Sequence, residues 1–294
     1  MQLVKIGERV DVTVGNNIIQ LIIGIFRQAN CVTENGLIAF QGFCVGVQGL
    51  GTEIDIKEIA RFIKFALQSE EQDCAKLACG IVSDMSSSMQ SGLDQYLADF
   101  VPCLHDILRN EKIHRNIKLP AFHALGDLSL NSGDSFNDTY LHDTLTILDM
   151  AAQMTTQPEN HPSANMEADY AEFIRELRDE ILVQYSTILI SVSESAQART
   201  KQSFQQHLGV ICDFLAKSLD IYGTTDHNLL KQAAGLVMDL AQLFNDNAQL
   251  KTALMAPRIE GLLNALHGYS DQESKETATG AYESVARMCA ATTA

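Results

Sequence analysis

Three segments of this chain share one pattern, in which small and apolar residues lead to an Asp that an apolar residue follows. They are Leu77–Met85, Ala121–Leu128 and Ala233–Leu240. The first two of these aspartates, Asp84 and Asp127, lie 43 residues apart, within the period of about 40–47 residues of HEAT and armadillo repeats. Small residues before the Asp suit a helix that approaches a neighbouring helix closely. The pattern therefore predicts stacked helical repeats.

Apolar residues at helical spacing run from Asn16 almost to the end of the chain, and short polar segments interrupt them. The interruptions fall near residues 31–36, 49–52, 68–70, 89–92, 110–112 and 131–134. The segments between them are long enough for helices of about three to five turns, which pair into successive helical hairpins. A single hairpin cannot bury its apolar face alone, so successive hairpins are expected to form a continuous double layer.

These observations predict an all-α fold, a right-handed α-solenoid of about six HEAT repeats. Asp127 and Asp239 are 112 residues apart, which is too long for two regular periods, so an insertion is expected between them. Residues 154–168 are polar, contain two prolines and are predicted to be this insertion, a loop between helices. The expected units are residues 16–50, 51–89, 90–132, 133–196, 197–245 and 246–293, with residues 1–15 as the end of a preceding helix.

The chain is strongly acidic, with 37 Asp and Glu against 21 Lys and Arg and a formal net charge of -16. Such a surface repels nucleic acid and anionic lipid and attracts basic partners over long range. An acidic surface that only provides solubility is an equally good explanation of the composition alone. We therefore expect neither a nucleic-acid partner nor a membrane partner, and the stretch Ile18–Phe26 is too short to span a bilayer.

The cysteines and the short motifs give no sign of an enzyme. The seven cysteines are scattered and form no CxxC pair, which is typical of a reduced, intracellular protein. Cys103 and His105 are two positions apart on a predicted helix and point in different directions. No HExxH, GxSxG or phosphate-binding loop is present. We predict no catalytic residue, no metal site and no cofactor.

Three segments carry a resemblance to a known family. They are Asn110–Lys118 with Leu125–Leu128 after it, Phe173–Arg178, and Ala234–Leu240. Their order and spacing are similar to those of the carboxy-terminal HEAT repeats of importin beta, the karyopherin-type nuclear import receptors. The resemblance implies a protein of the cytoplasm, the nucleus and the nuclear pores, active in nucleocytoplasmic transport.

The resemblance also implies partners. The family's carboxy-terminal repeats bind the basic importin-beta-binding segment of importin alpha and, at a secondary site, phenylalanine-glycine (FG) repeats of nucleoporins. Ran-GTP contacts mainly the amino-terminal repeats of the full-length protein, so its binding here is expected to be weak or absent. The family often stacks Trp on basic side chains, whereas this chain has Trp 0. Tyr282 lies near the place where the last of these tryptophans is expected.

An acidic stripe is the leading candidate for the basic partner. Carboxylates recur at helical spacing while apolar residues occupy the other face. The stripe consists of Asp169, Glu172, Glu176, Asp179 and Glu180, and the apolar face of Phe173, Ile174, Leu177, Ile181 and Tyr185. A basic helix along the stripe would form charge-assisted hydrogen bonds. The alternative is an ordinary solvated helix face, which Arg175 and Arg178 partly neutralise from its flank.

Two further sets of residues have two explanations each. Asp84, Asp127 and Asp239 could present carboxylates to an Arg- and Lys-rich ligand, or could form hydrogen bonds between neighbouring units. Phe65, Phe100 and Leu104 lie on predicted first helices, where they could line grooves for FG repeats or could pack in the core.

A different class of function also fits the sequence. A HEAT-repeat scaffold, such as a subunit of a phosphatase assembly, would organise other proteins without contacting import signals. Binding by such a scaffold would depend little on salt, whereas a receptor for basic segments would lose affinity steeply as salt rises. A degenerate enzyme would need titratable side chains that converge in a pocket, and the sequence suggests no such cluster.

Overall fold

A computed structural model describes residues 12–29, 31–46, 55–161, 164–222 and 227–290. Helices account for most of these residues, and no β-strand occurs among them. In chain order the α-helices are α1 Val12–Ala29, α2 Glu34–Gly46, α3 Lys57–Leu67, α4 Gln72–Met89, α5 Leu97–Arg109, α6 Arg115–Ser132, α7 Asp134–Thr155, α8 Ala168–Glu194, α9 Ala198–Gln205, α10 Leu208–Tyr222, α11 His227–Leu243, α12 Ala248–Leu254, α13 Pro257–His267 and α14 Gln272–Ala290. Two 3-10 helices span Gln90–Tyr96 and Pro158–Asn160.

The first compact unit spans residues 1–144 and contains two layers of helices. Helices α2, α4 and α6 pack side by side in one layer, and α1, α3 and α5 form the other. The apolar residues of each helix point between the layers, as Ile59 and Ile63 of α3 do with no exposed surface. The helices form because each one has an apolar stripe at helical spacing that only the neighbouring layer can bury.

The second compact unit spans residues 145–294 and repeats this arrangement. Here α11 packs between α8 and α14, while α10 and α13 lie in the other layer. The first helices of the last two hairpins are each broken in two, as α9 followed by α10 and as α12 followed by α13. Pro257 occupies the first turn of α13, where its missing N–H costs nothing because that N–H has no partner within a helix.

Helices α2, α4 and α6 are the second helices of successive hairpins, and hydrogen bonds between them give the repeat period directly. Gln41 of α2 donates to Asp84 of α4, 43 residues later, and Ser83 of α4 donates to Asp127 of α6, 44 residues later. This spacing is within the HEAT and armadillo range and is longer than the 34 residues of a tetratricopeptide repeat. The all-α repeat fold expected from the sequence is therefore confirmed.

Several helix ends fall where the sequence has polar interruptions. Helix α6 ends before Gly133, which adopts a left-handed conformation with φ of 51°. Helix α7 extends to Thr155 and α8 begins at Ala168, so both ends of the predicted loop 154–168 are helical. Helix α1 begins at Val12, four residues before the predicted start of the solenoid. The predicted preceding helix falls mostly outside the described residues, and the boundaries of the six units stay a prediction.

Candidate functional site

The acidic stripe lies on α8, and its amino-terminal half is the accessible part. Asp169, Glu172 and Glu176 are exposed, and their carboxylates make no hydrogen bond or ion pair with any described residue. Asp169 lies in the first turn of the helix, where a carboxylate also stabilises the helix dipole. The three carboxylates are therefore available to a ligand, although this position benefits the helix as well.

The other two carboxylates of the stripe are engaged with neighbours on the same helix. Asp179 lies 4.0 Å from Nη1 of Arg175, and Oε1 of Glu180 accepts a hydrogen bond of 2.6 Å from Nε2 of Gln184. Both side chains are only partly exposed. A basic ligand would have to compete with these contacts, so Asp179 and Glu180 are weaker candidates than the first three.

Arg178 does not flank the stripe, and this part of the sequence interpretation is wrong. Its side chain is buried, with 3% of the residue exposed. Nε and Nη2 donate to the carbonyl oxygen of Thr155, and Nη2 also donates to that of Asn160. The guanidinium thereby fixes the segment that follows α7 against α8, because a buried cation needs acceptors on every side.

Asp84 and Asp127 form hydrogen bonds to the preceding second helix. Nε2 of Gln41 donates to Oδ2 of Asp84 over 3.0 Å, and the Ser83 hydroxyl donates to Asp127. Nε2 of His123 lies 3.6 Å from Oδ2 of Asp127. Burial raises the pKa of the Asp84 carboxyl, while the hydrogen bond from Gln41 lowers it. The structural explanation of these two aspartates is therefore sufficient.

Asp239 occupies the same motif position on α11 but has no such partner. Its carboxylate makes no hydrogen bond or ion pair with any described residue. Burial raises the pKa of this carboxyl, which is partly exposed. Gly235, one turn earlier, has open space where a side chain would begin, since no atom lies within 4 Å of that position, whereas Gln41 Nε2 lies 3.3 Å from the same position at the equivalent Gly80. The surface beside Gly235 and Asp239 is therefore not covered by a side chain of the preceding helix, and we call it the open groove.

Tyr282 lies on α14 and is tied to the preceding helix. Its hydroxyl donates to the Asn264 side-chain oxygen at 2.7 Å and lies 3.2 Å from the Glu260 carbonyl oxygen, both on α13. Burial raises the pKa of the Tyr282 phenol. Because the hydroxyl is already engaged, only the partly exposed ring remains for stacking on a basic side chain.

Phe100 and Leu104 cannot line a surface groove, and their prediction as FG-repeat contacts is corrected. Both lie on α5, which packs against α6 and α3, and neither has any exposed surface. Phe65 of α3 differs from them, because 74% of it is exposed. Helical spacing predicted that all three lie on first helices but did not show which side of each helix is covered.

Cys103 and His105 have different partners, since the Cys103 thiol donates to the Asp99 carbonyl oxygen at 3.3 Å. His105 is buried, and its Nε2 lies 2.9 Å from the Thr144 hydroxyl. Burial, helped by the charge of Arg109, lowers the pKa of His105 to about 4.

Within the described residues, no group of three or more His, Cys, Asp and Glu side chains is arranged to hold a metal ion. None of the described helices is long and apolar enough for a bilayer span.

The sequence interpretation missed the polar groups that join distant segments. Asp149 accepts hydrogen bonds of 2.7 Å from the Tyr185 hydroxyl and from Nδ1 of His207, which is 58 residues away. Gln41 and Ser83 were missed as donors to the motif aspartates. A search for polar residues one repeat period before each Asp would have found these two, whereas no periodic signal connects Asp149 to His207.

The architecture defines the class of this protein: it is an α-solenoid built from HEAT-type helical hairpins. A family model described as importin subunit beta-1-like, TPR repeats, matches residues 4–267. The chain belongs to the importin subunit beta-1-like family, which is a family of nuclear transport receptors. The separation of 43 and 44 residues between the hydrogen-bonded positions favours the HEAT type over the tetratricopeptide type that the description names.

Individual relatives agree with this assignment. The chain is 26% identical over 185 residues to importin subunit beta-1 of Arabidopsis thaliana, which is 63% of this chain and 20% of the relative. It is 24% identical over 201 residues to importin subunit beta-1 of Saccharomyces cerevisiae, 68% of this chain and 22% of the relative. The chain thus spans about a fifth of the length of the curated relatives it matches.

Solved structures show the same fold. Importin beta crystallised in an ammonium sulfate condition superposes with a TM-score of 0.74 at 22% identity, covering 93% of this chain and 31% of the other. The Kap95:Nup1 complex gives 0.74 at 18% identity, covering 95% and 32%. Kap95p bound to RanGDP gives 0.74 at 19% identity, covering 95% and 33%. At these identities the likeness concerns the fold alone.

Proposed function

We propose that this chain is a recognition surface of a nuclear transport receptor and that it binds the basic importin-beta-binding segment of importin alpha. The observation that carries the proposal is the group of partner-free carboxylates in the second unit: Asp169, Glu172 and Glu176 on α8, with Asp239 on α11. Arg and Lys side chains of a ligand would supply the missing cations. Family membership supports a role in transport, and the protein would act in the cytoplasm, the nucleus and at nuclear pores.

The open groove at Asp239 supports the proposal independently of the stripe. A carboxylate with a raised pKa and no partner is costly to keep in its partly buried position. A ligand cation would offset that cost, because an opposite charge within about 4–6 Å favours the ionised carboxylate. Asp84 and Asp127 have protein donors already, so they contribute less to binding in this proposal.

FG repeats of nucleoporins are the second partner in this proposal, with Phe65 as the contact. An exposed aromatic ring is a favourable partner for another aromatic ring. The solved complex of Kap95 with Nup1 makes a nucleoporin partner reasonable for a family member. A structure of Kap95p with RanGDP does the same for Ran, but we expect only weak or absent Ran-GTP binding to these repeats alone.

The test is a titration of the chain with a fluorescently labelled peptide of the importin-alpha basic segment at low and at high salt. The variant Glu172→Gln, Glu176→Gln should bind less tightly and should show a smaller salt dependence, since two ligand cations lose their partners. Its matched control is Glu70→Gln, Glu71→Gln, which removes the same charge from two exposed, partner-free side chains between α3 and α4.

Equal losses in the two double variants would mean that only the overall charge attracts the peptide, and the stripe would be excluded as a site. Binding that does not change with salt would favour the alternative function, a HEAT-repeat scaffold for other proteins such as a phosphatase assembly.

For the nucleoporin contact, Phe65→Ala should weaken binding of an FG-repeat peptide, whereas Phe65→Tyr should largely preserve it.

A further inference from the structure

One cleft of the first unit has a charge character opposite to that of the chain as a whole. It lies between α1 and α3 and has a volume of about 340 Å³. Its lining residues are Gln20, Arg27, Asp55, Lys57, Glu58 and Arg61. Three cations and two carboxylates leave the lining with one net positive charge, in a chain whose formal net charge is -16.

The cations of the cleft are not equally available. Arg27 is already paired, because its Nε and Nη2 donate to the two carboxylate oxygens of Glu58 over 2.8 and 2.7 Å. Lys57 and Arg61 are exposed and their side chains have no hydrogen bond or ion pair with any described residue. They lie one turn apart on α3, so both ammonium and guanidinium groups can reach a single anion.

The unpaired state of Arg61 is unusual within this protein. Every other arginine in the described ranges has a hydrogen bond, an ion pair or another polar contact. In a protein with so many carboxylates, a free guanidinium is the exception. Its planar fork of donors fits a carboxylate or phosphate in two-point contact.

The balance of charge selects between these two anions. A phosphate group carries about −1.5 to −2 charges near neutral pH, and the two carboxylates of the cleft would repel it. One carboxylate carries a single negative charge and matches the net charge of the lining. Phe65 follows Arg61 by one further turn, about 6 Å along the helix axis, and 74% of it is exposed.

We infer that this cleft binds a carboxylate side chain of an acidic segment in a partner protein, with an apolar side chain of the same segment on Phe65. In an extended peptide, about 6 Å corresponds to two residues, so the preferred segment has Glu or Asp two positions from an aromatic residue. This surface contains none of the carboxylates of α8 and α11 and attracts ligands of the opposite charge. It goes beyond FG-repeat binding at Phe65, which needs no charge.

The experiment uses the full chain and three labelled peptides that share Gly-Ser flanks. The first contains Glu-Ser-Phe, the second Gln-Ser-Phe and the third Glu-Ser-Ala. Fluorescence anisotropy at low salt should give the first an affinity about fivefold higher than the second, as expected for one exposed ion pair of about 1 kcal/mol. The third should also bind more weakly than the first, because its Ala offers no ring to Phe65. Arg61→Gln should abolish the Glu preference, while Lys76→Gln, at an exposed and partner-free lysine of α4, should preserve it.

A variant with the opposite expected effect separates recognition from stability. Glu58→Gln removes a competing carboxylate and releases Arg27 from its ion pair, so the preference for the Glu-Ser-Phe peptide should increase. Equal affinities for the Glu and Gln peptides, or a preference that survives Arg61→Gln, would overturn the inference. If the chain does not bind the importin-alpha peptide but still prefers the Glu-Ser-Phe peptide to the Gln-Ser-Phe peptide, only the proposed function is contradicted.

Discussion

The two units of this protein use the same residue types in different ways. In the first unit, Asp84 and Asp127 accept hydrogen bonds from the preceding second helix. In the second unit, Asp239 occupies the equivalent motif position, and its carboxylate has no partner among the described residues. The motif fixes where the carboxylate lies, but the side chain on the preceding helix decides whether it holds the stack together or stays available to a ligand.

The buried histidines show the same contrast. His105 of the first unit contacts the hydroxyl of Thr144, a neutral partner, and stays neutral because burial lowers its pKa to about 4. His207 of the second unit contacts the carboxylate of Asp149, which also accepts a hydrogen bond from Tyr185. The Asp149 carboxylate thus joins α7, α8 and the α9–α10 turn in the second unit. In the first unit the histidine contact between α5 and α7 is neutral, and the separate ion pair between these helices, Arg109 with Asp143, is exposed.

The largest expected effect comes from removing the carboxylate that has two partners. Asp149→Ala should lower the free energy of unfolding by about 3 kcal/mol, because the Tyr185 hydroxyl and the His207 ring nitrogen would remain buried without an acceptor. Urea unfolding followed by circular dichroism measures the change. Thr144→Ala, which removes the neutral partner of His105, should cost less. Equal costs would show that the two histidine contacts do not differ in strength.

The pH dependence of stability should come from His105. Its pKa is lower in the folded state than the ordinary value near 6.5, so the unfolded chain binds the proton first. Stability is full above about pH 6.5, falls as the pH drops toward 4, and loses no more below that. At pH 5 the loss from this group should be about 2 kcal/mol.

The control for this prediction is His105→Gln, which keeps an amide donor near Thr144 and has no charge to gain. Thermal unfolding of both proteins at pH 7 and pH 5 should show a smaller loss for the variant. The raised pKa values of Asp84 and Asp239 act in the opposite direction, because a folded state that binds protons more tightly gains stability as pH falls. Both proteins share this contribution, so it cancels in the difference between them.

The motif aspartates provide a direct test of the first comparison. Asp127→Ala should destabilise the protein by about 1–2 kcal/mol relative to Asp239→Ala, because only Asp127 leaves a buried donor, the Ser83 hydroxyl, without an acceptor. Both changes have the same gain in helix propensity, so the difference reports the partner alone. If Asp239→Ala costs as much as Asp127→Ala, then Asp239 also stabilises the stack, and its role as a free ligand contact is contradicted.

The sequence predicted the helices well because helical spacing and polar interruptions are local signals. Gly133, at the predicted break of residues 131–134, ends α6 in a left-handed conformation that glycine adopts without strain. The side of a helix that a neighbour covers is not a local property. For this reason the sequence left Phe100 open between a surface groove and the core, and it placed Arg178 on the flank of the stripe although Arg178 is buried.

The smallest expected effect concerns the glycines that precede the motif aspartates by one turn. Replacing a glycine by alanine inside a helix should stabilise it by about 0.5–1 kcal/mol. Gly235→Ala should realise most of this gain, since nothing lies within 4 Å of the added methyl group. At Gly80 the methyl group would meet Gln41 Nε2 at 3.3 Å and disturb its hydrogen bond to Asp84. A smaller gain for Gly80→Ala in urea unfolding would show that the groove is filled in the first unit and open in the second, and equal gains would remove that distinction.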